Sequence, residues 1–126
     1  MLLKHILLVG IGGFAGSVAR YLVGRLTHGL QFFDIPVGTL IVNVLGSLIL
    51  GLLMGIAEKS ALMTADLRML LMVGLCGGFT TFSTFTGENL ALMHSGEYLV
   101  VFLYTALSLL LGFLAVYLGY ILTNLL

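Results

Sequence analysis

Apolar residues fall along this chain in four long blocks separated by short polar breaks. The blocks cover residues 6–26, 37–57, 67–93 and 99–122. Each has the roughly 20 residues that a helix rising about 1.5 Å per residue needs to cross about 30 Å of hydrocarbon. The connections, 27–35, 58–66 and 94–98, leave no room for a soluble domain. The pattern predicts an all-α membrane protein, with residues 1–126 forming a single four-helix transmembrane domain. Pro36 stands where the second helix should begin, a place that suits a fixed φ and a missing N–H. The first block has a basic flank, Lys4. Its length and the three spans behind it predict a retained first helix rather than a cleaved leader.

The third block departs from a lipid-facing pattern. It contains Gly77-Gly78-Phe79-Thr80-Thr81-Phe82-Ser83-Thr84-Phe85, two adjacent glycines followed by a hydroxyl-rich run. At membrane depth, irregular backbone and clustered polar groups survive only inside protein or along a pathway. The expectation is a helix interrupted near residues 77–81. A half-helix ending near Gly77 would present carbonyls, and one starting near Thr81 would present amide groups. A simpler glycine-relieved kink, filled by hydroxyl back-bonding, fits the same residues.

Polar residues within the other blocks keep helical spacing. Thr39, Asn43 and Ser47 recur every four residues on one face of the second span, and Tyr104 and Ser108 repeat that spacing in the fourth. Gly112 continues the second stripe without a donor. Either stripe could be interhelical glue or the wall of a route. Phe82 and Phe85 lie three apart, surrounded by the hydroxyls of Ser83, Thr84 and Thr86. Ring edges are electropositive, so phenylalanine edges with hydroxyl and amide donors accept an anion and give no hold to a cation. Arg20, near the end of the first span, either raises anion concentration at a mouth or snorkels to headgroups. Glu88 is an intramembrane carboxylate with no obvious place on an anion route.

Composition narrows the function classes. Hydrophobic residues make up 60% of the chain and charged residues 8%, more apolar surface than a soluble domain of this length can hide. Formal net charge is zero, so there is no basic footprint for nucleic acid. The single Cys76 forms no intrachain disulfide. There is no tryptophan, and interfacial anchoring falls to Tyr21, Tyr98, Tyr117 and Tyr120. Gly12 with Gly16, and Ser47 with Gly51 and Gly55, have the small-xxx-small spacing of closely packed membrane helices. The glycines at 10, 12, 13 and 16 suggest a dinucleotide fingerprint, but no βαβ unit surrounds them. No metal-ligand spacing, nucleophile elbow or carboxylate pair is present.

With four spans, both termini share one side with the second connection. That side carries Lys4, Lys59 and Arg68, against Arg25 and a snorkelling Arg20 on the other. The positive-inside rule favours cytoplasmic termini by a small margin, which is what a chain inserting in both orientations would need. Four helices of this size enclose no lumen, so a route lined by the stripes would run between subunits. Two copies in opposite orientation would then supply the inverted repeat that larger transporters hold in one chain.

These residues resemble the small bacterial fluoride channels called Fluc or CrcB. The likeness spans nearly the whole chain. It rests on Gly12-Gly13-Phe14-Ala15-Gly16-Ser17-Val18-Ala19-Arg20-Tyr21, on the 38–46 segment from Gly38-Thr39 through Asn43 to Gly46, and most specifically on the 74–85 segment ending Thr80-Thr81-Phe82-Ser83-Thr84-Phe85. The resemblance implies a dual-topology, antiparallel homodimer in the bacterial inner membrane with two separate fluoride pores. It implies that Phe82 and Phe85 line the pores with their edges toward the ion and that Asn43 donates nearby. It places Ser83, Thr84, Tyr104 and Ser108 on a polar track, with Thr39 close by and Arg20 toward the vestibule. It also implies a structural sodium ion, Na+, at the dimer centre, held by the backbone carbonyls of Gly77 and Thr80. Gly112 departs from the hydroxyl residue common at its position. The implied physiology is passive export of fluoride, F-, driven by the membrane potential, with no enzymatic activity, no nucleic acid and no other protein partner. A proton-coupled small multidrug transporter is the runner-up, with Glu88 as its only candidate carboxylate. A structural subunit of a larger complex is the third reading.

Overall fold

A computed structural model describes residues 1–126. Helix α1 (Leu2–Leu26) leads into a hairpin of two short strands, β1 (Gln31–Phe32) and β2 (Ile35–Pro36), and then α2 (Val37–Lys59). The third span covers Ala65–His94. It opens with α3 (Ala65–Leu67), widens to a π-helix over Arg68–Cys76, tightens to α4 (Gly77–Phe79), breaks, and resumes as α5 (Phe82–His94). Helix α6 (Tyr98–Leu122) ends the bundle. Four helices are thus long and apolar enough to cross a membrane, as the four blocks predict.

Two details differ from the sequence expectation. Helix α1 starts at Leu2 rather than near residue 6. Its first turn holds Lys4 and His5, and both reach Asp66 at the start of the third span, His5 Nε2 at 3.3 Å. The first connection also holds the antiparallel hairpin, so the chain is mostly helical rather than all-α. Its two turn residues, Phe33 and Asp34, have φ of 52° and 62°. This is the left-handed geometry of a two-residue hairpin turn, built here without the Asn-Gly signal that announces one.

Glycines decide which helices pair. Helix α1 lies against the π-helix and α4, and α2 lies against α6. A Cβ on Gly74 would come within 2.9 Å of Gly12 Cα, and one on Gly78 within 2.6 Å of Gly13 O. In the other pair, a Cβ on Gly119 would sit 2.9 Å from Leu52 N. Backbones therefore touch directly, as small-residue membrane interfaces allow.

The termini and the second connection meet at one end. Besides the Lys4–Asp66 ion pair, Lys59 Nζ donates to Thr123 O at 2.6 Å and Tyr120 donates its hydroxyl hydrogen to Glu58. This fixes the even-span arrangement. Only 16 of 126 residues are buried, too few for a water-soluble core. The exposed leucines and phenylalanines of α1 and α6 suit acyl chains instead.

Candidate functional site

The third span breaks at Thr80 and Thr81, whose φ/ψ of −86°/158° and −150°/119° are extended. The break begins later than the glycines suggest, since Gly77 keeps helical angles of −63°/−36°. Gly78 serves the close approach to α1. The break is made instead by a residue 38 positions away. Asn43 Oδ1 accepts from Thr81 N at 2.8 Å, and Asn43 Nδ2 donates to Thr81 O at 3.1 Å. In a continuous helix, Thr81 N–H would bond to the Gly77 carbonyl. Asn43 takes that donor and frees the carbonyl.

Local bonds finish both half-helix ends. Thr80 Oγ1 donates to Cys76 O at 2.9 Å. Thr81 is the N-cap of α5, its Oγ1 accepting from Thr84 N at 3.2 Å. Arg20 Nε donates to Gly78 O at 3.1 Å, a cation placed at the negative end of the first half-helix. Arg20 therefore turns inward to the break rather than only outward to headgroups.

Two recesses flank this break and a third lies beyond it between α2 and α6. The first, about 490 Å³, is lined by Arg20, Arg25, Thr39, Thr84 and Glu88 among others. The second, about 330 Å³, brings Asn43, Ser47, Gly77, Thr80, Thr81 and Phe82 together. The third, about 290 Å³, holds Ser47, Ser108 and Gly112. The α2 stripe connects them: Thr39 faces the first recess, Asn43 the second, and Ser47 the second and third. The α6 stripe divides. Ser108 Oγ is buried with no hydrogen-bond partner beside the third recess, while Tyr104 is fully buried and its hydroxyl donates to Glu88 Oε1 at 3.0 Å.

The phenylalanines separate into inner and outer positions. Phe85 stands edge-on to Tyr104 with ring centroids 5.0 Å apart. Phe82 is 6.0 Å from Phe85 and 76% exposed on the outside of the chain, at the edge of the second recess. Ser83 and Thr84 are also exposed. Phe85, half-buried, thus stands between exposed Phe82 and fully buried Tyr104, and Ser83 faces outward beside Phe82. Asn43 spends one Nδ2 hydrogen on Thr81 and keeps a second free.

Sequence reasoning singled out Glu88 without finding its partner, and missed Asn89. Glu88 is the partner of buried Tyr104, a contact 16 residues apart that no local pattern announces. Asn89 bonds to Phe85 O at 3.2 Å through Nδ2 and leaves a buried Oδ1 unpartnered.

Residues 7–120 match the family model described as "CrcB-like protein, Camphor Resistance (CrcB)". This chain belongs to the CrcB family. The resemblance carried by the glycine, asparagine and Thr-Thr-Phe-Ser-Thr-Phe motifs is therefore correct. CrcB relatives named "Fluoride-specific ion channel FluC" match along nearly their whole length. The protein from Azobacteroides pseudotrichonymphae is 43% identical over 123 residues, covering 98% of both chains. The one from Chlorobium chlorochromatii is 48% identical over 117 residues, 93% of this chain and 90% of the relative. That from Chlorobaculum tepidum is 46% identical over 125 residues, 99% of this chain and 98% of the relative.

Proposed function

We propose that this protein is a fluoride-selective channel through which the anion leaves the cytoplasm passively, protecting the cell from fluoride. The carrying observation is the polar line from Thr39 through Asn43 and Ser47 to Ser108, which passes the helix break beside Phe82. Its side chains offer hydroxyl and amide donors, and the aromatic rings offer electropositive edges, a neutral lining suited to an anion. The names of the CrcB relatives support fluoride as that anion. Hydrogen fluoride entering from acidic surroundings would ionise inside, and a membrane potential negative inside would drive the ion out.

The working unit is an antiparallel homodimer with two pores in the bacterial inner membrane. Two observations support a second copy. The chain buries few of its own residues, and Phe82 with Ser83 lies exposed at the recess edge. A partner would bring its own Phe82 and Ser83 to the polar line of the first copy. A small lysine-and-arginine bias between the two ends supports insertion in both orientations: Lys4, Lys59 and Arg68 lie toward one end, Arg20 and Arg25 toward the other.

A structural sodium ion at the dimer centre would be held by the Gly77 and Thr80 carbonyls of both copies. These residues fit it. Both line the second recess, and the capture of Thr81 N–H by Asn43 releases the Gly77 carbonyl from its helical partner. Carbonyls on unwound membrane backbone suit such a cation. It would tie the two breaks together and take no part in transport.

The test is fluoride efflux from liposomes holding the purified protein, read with a fluoride electrode after valinomycin is added, with chloride-loaded vesicles as control. Fast fluoride release with little chloride release is expected. No release from verified dimeric, reconstituted protein would refute the channel reading.

A further inference from the structure

We infer that the β1–β2 hairpin is an interfacial membrane anchor, inserting the rings of Phe32 and Phe33 into the headgroup layer of the lipid bilayer. The inference rests on the membrane-spanning reading of the four helices and extends it to a segment outside them.

The base of the hairpin is fixed. Ile35 is 3% exposed and packs with Val100 and Tyr104 of α6. Its tip is free. Leu30 is 58% exposed, Phe32 57% and Phe33 72%, and the two rings stand edge to face with centroids 4.8 Å apart. A rigidly mounted loop that ends in two bare aromatic rings has no use for them in water.

The turn itself points the same way. Phe33 and Asp34 both occupy the left-handed region; aspartate tolerates it, but a bulky residue such as Phe33 is strained there, where Asn is the ordinary choice. Strain held at a surface position calls for a compensating contact. The Phe33 ring stands against its exposed neighbour Phe32 and is itself 72% exposed, so most of its surface is left for a contact outside the chain.

Position selects the lipid as that contact. The hairpin joins two membrane-spanning helices directly, α1 ending at Leu26 and α2 starting at Val37. Strands of two residues reach only about 7 Å, at roughly 3.4 Å per residue. The headgroup layer beyond each face of the hydrocarbon is about 5–8 Å deep. The tip therefore remains within that layer, where the apolar surface of interfacial segments sinks about 5–10 Å. The chain has no tryptophan for this task.

The lack of tryptophan also supplies the experiment, because one introduced residue is the sole reporter. Phe33→Trp, and separately Phe32→Trp, would be reconstituted full-length into phosphatidylcholine vesicles whose acyl chains carry bromine near the headgroup or near the chain end. Leu110→Trp, on an exposed mid-span position of α6, reports insertion of the bundle itself. Emission from either hairpin reporter should fall at least about twofold with shallow bromine and less with deep bromine, while the reporter at position 110 shows the reverse order. If the reporter at 110 is quenched and neither hairpin reporter is, the anchor is refuted. Acrylamide then tells open water from cover by a second copy of the chain. If no reporter is quenched, the chain is not inserted, and the membrane reading fails with the anchor.

Discussion

Replacing Asn43 with alanine should release the break in the third span. Two hydrogen bonds to the Thr81 backbone would be lost, one accepting at 2.8 Å and one donating at 3.1 Å. A neutral intramolecular hydrogen bond contributes about 1 kcal/mol net, so the pair contributes roughly 2 kcal/mol. At about 1.4 kcal/mol per factor of ten, that is a change of roughly 30-fold in the population of the broken conformation relative to its competitors. The main competitor is a helix carried through Thr81, in which its N–H returns to the Gly77 carbonyl and α5 loses its cap. The assay is amide hydrogen exchange at Thr81 and at Phe82 to Thr84, together with fluoride efflux. Exchange of the Thr81 amide should change by about that factor, faster if the segment frays and slower if the helix closes, with fluoride efflux falling at least about tenfold. Asn43→Asp keeps the acceptor and loses the donor, so its exchange at Thr81 should stay nearer the parent. An Asn43→Ala protein with parental exchange at Thr81 and parental efflux would refute the reasoning.

Phe82→Ile and Phe85→Ile should each cut fluoride efflux by at least about tenfold while size-exclusion chromatography still reports a dimer; parental efflux in both would sink their assignment to the pore. Gly78→Ala puts a Cβ within 2.6 Å of Gly13 O and should destabilise the α1 contact by about 1–3 kcal/mol, seen as a lower melting temperature in detergent; an unchanged melting temperature would show that the helices can part freely. Glu88→Gln keeps an acceptor for the Tyr104 hydroxyl and should leave fluoride efflux within about threefold of the parent, since the substitution conserves the hydrogen bond. Proton-coupled transport in the parent that Glu88→Gln abolishes would favour the multidrug-transporter reading instead.

Much of the architecture was legible because a bilayer imposes few solutions. Apolar blocks of the right length had to become the four spans, and the i+4 spacing of Thr39, Asn43 and Ser47 had to place them on one helix face. The family was legible in the Thr80 to Phe85 string. The cause of the break was not. Gly77 and Gly78 drew attention as neighbours in sequence, whereas the decisive partner, Asn43, lies 38 residues away on another helix. Arg20 with Gly78, 58 apart, and Tyr104 with Glu88 were hidden for the same reason. The hairpin escaped because Phe33-Asp34 offers one turn residue, Asp34, and lacks the Asn-Gly or Asp-Gly pair that announces a two-residue turn.

The glycine contacts between paired helices have a consequence for how the sequence can drift. On the outward faces of α1 and α6, leucine can exchange with isoleucine, valine, methionine or phenylalanine at small cost, because acyl chains adapt to any of them. At Gly12, Gly16, Gly74 and Gly78, and at Gly51 and Gly119, the neighbour is backbone. The amino-acid alphabet has one letter small enough for such a site, and every possible replacement is larger. Mutation there has no gradual path. A chain that is mostly interchangeable hydrocarbon thus stores its instructions in a few positions that cannot be rewritten, and its helix pairing stays fixed while its lipid-facing surface is free to change with the membrane around it.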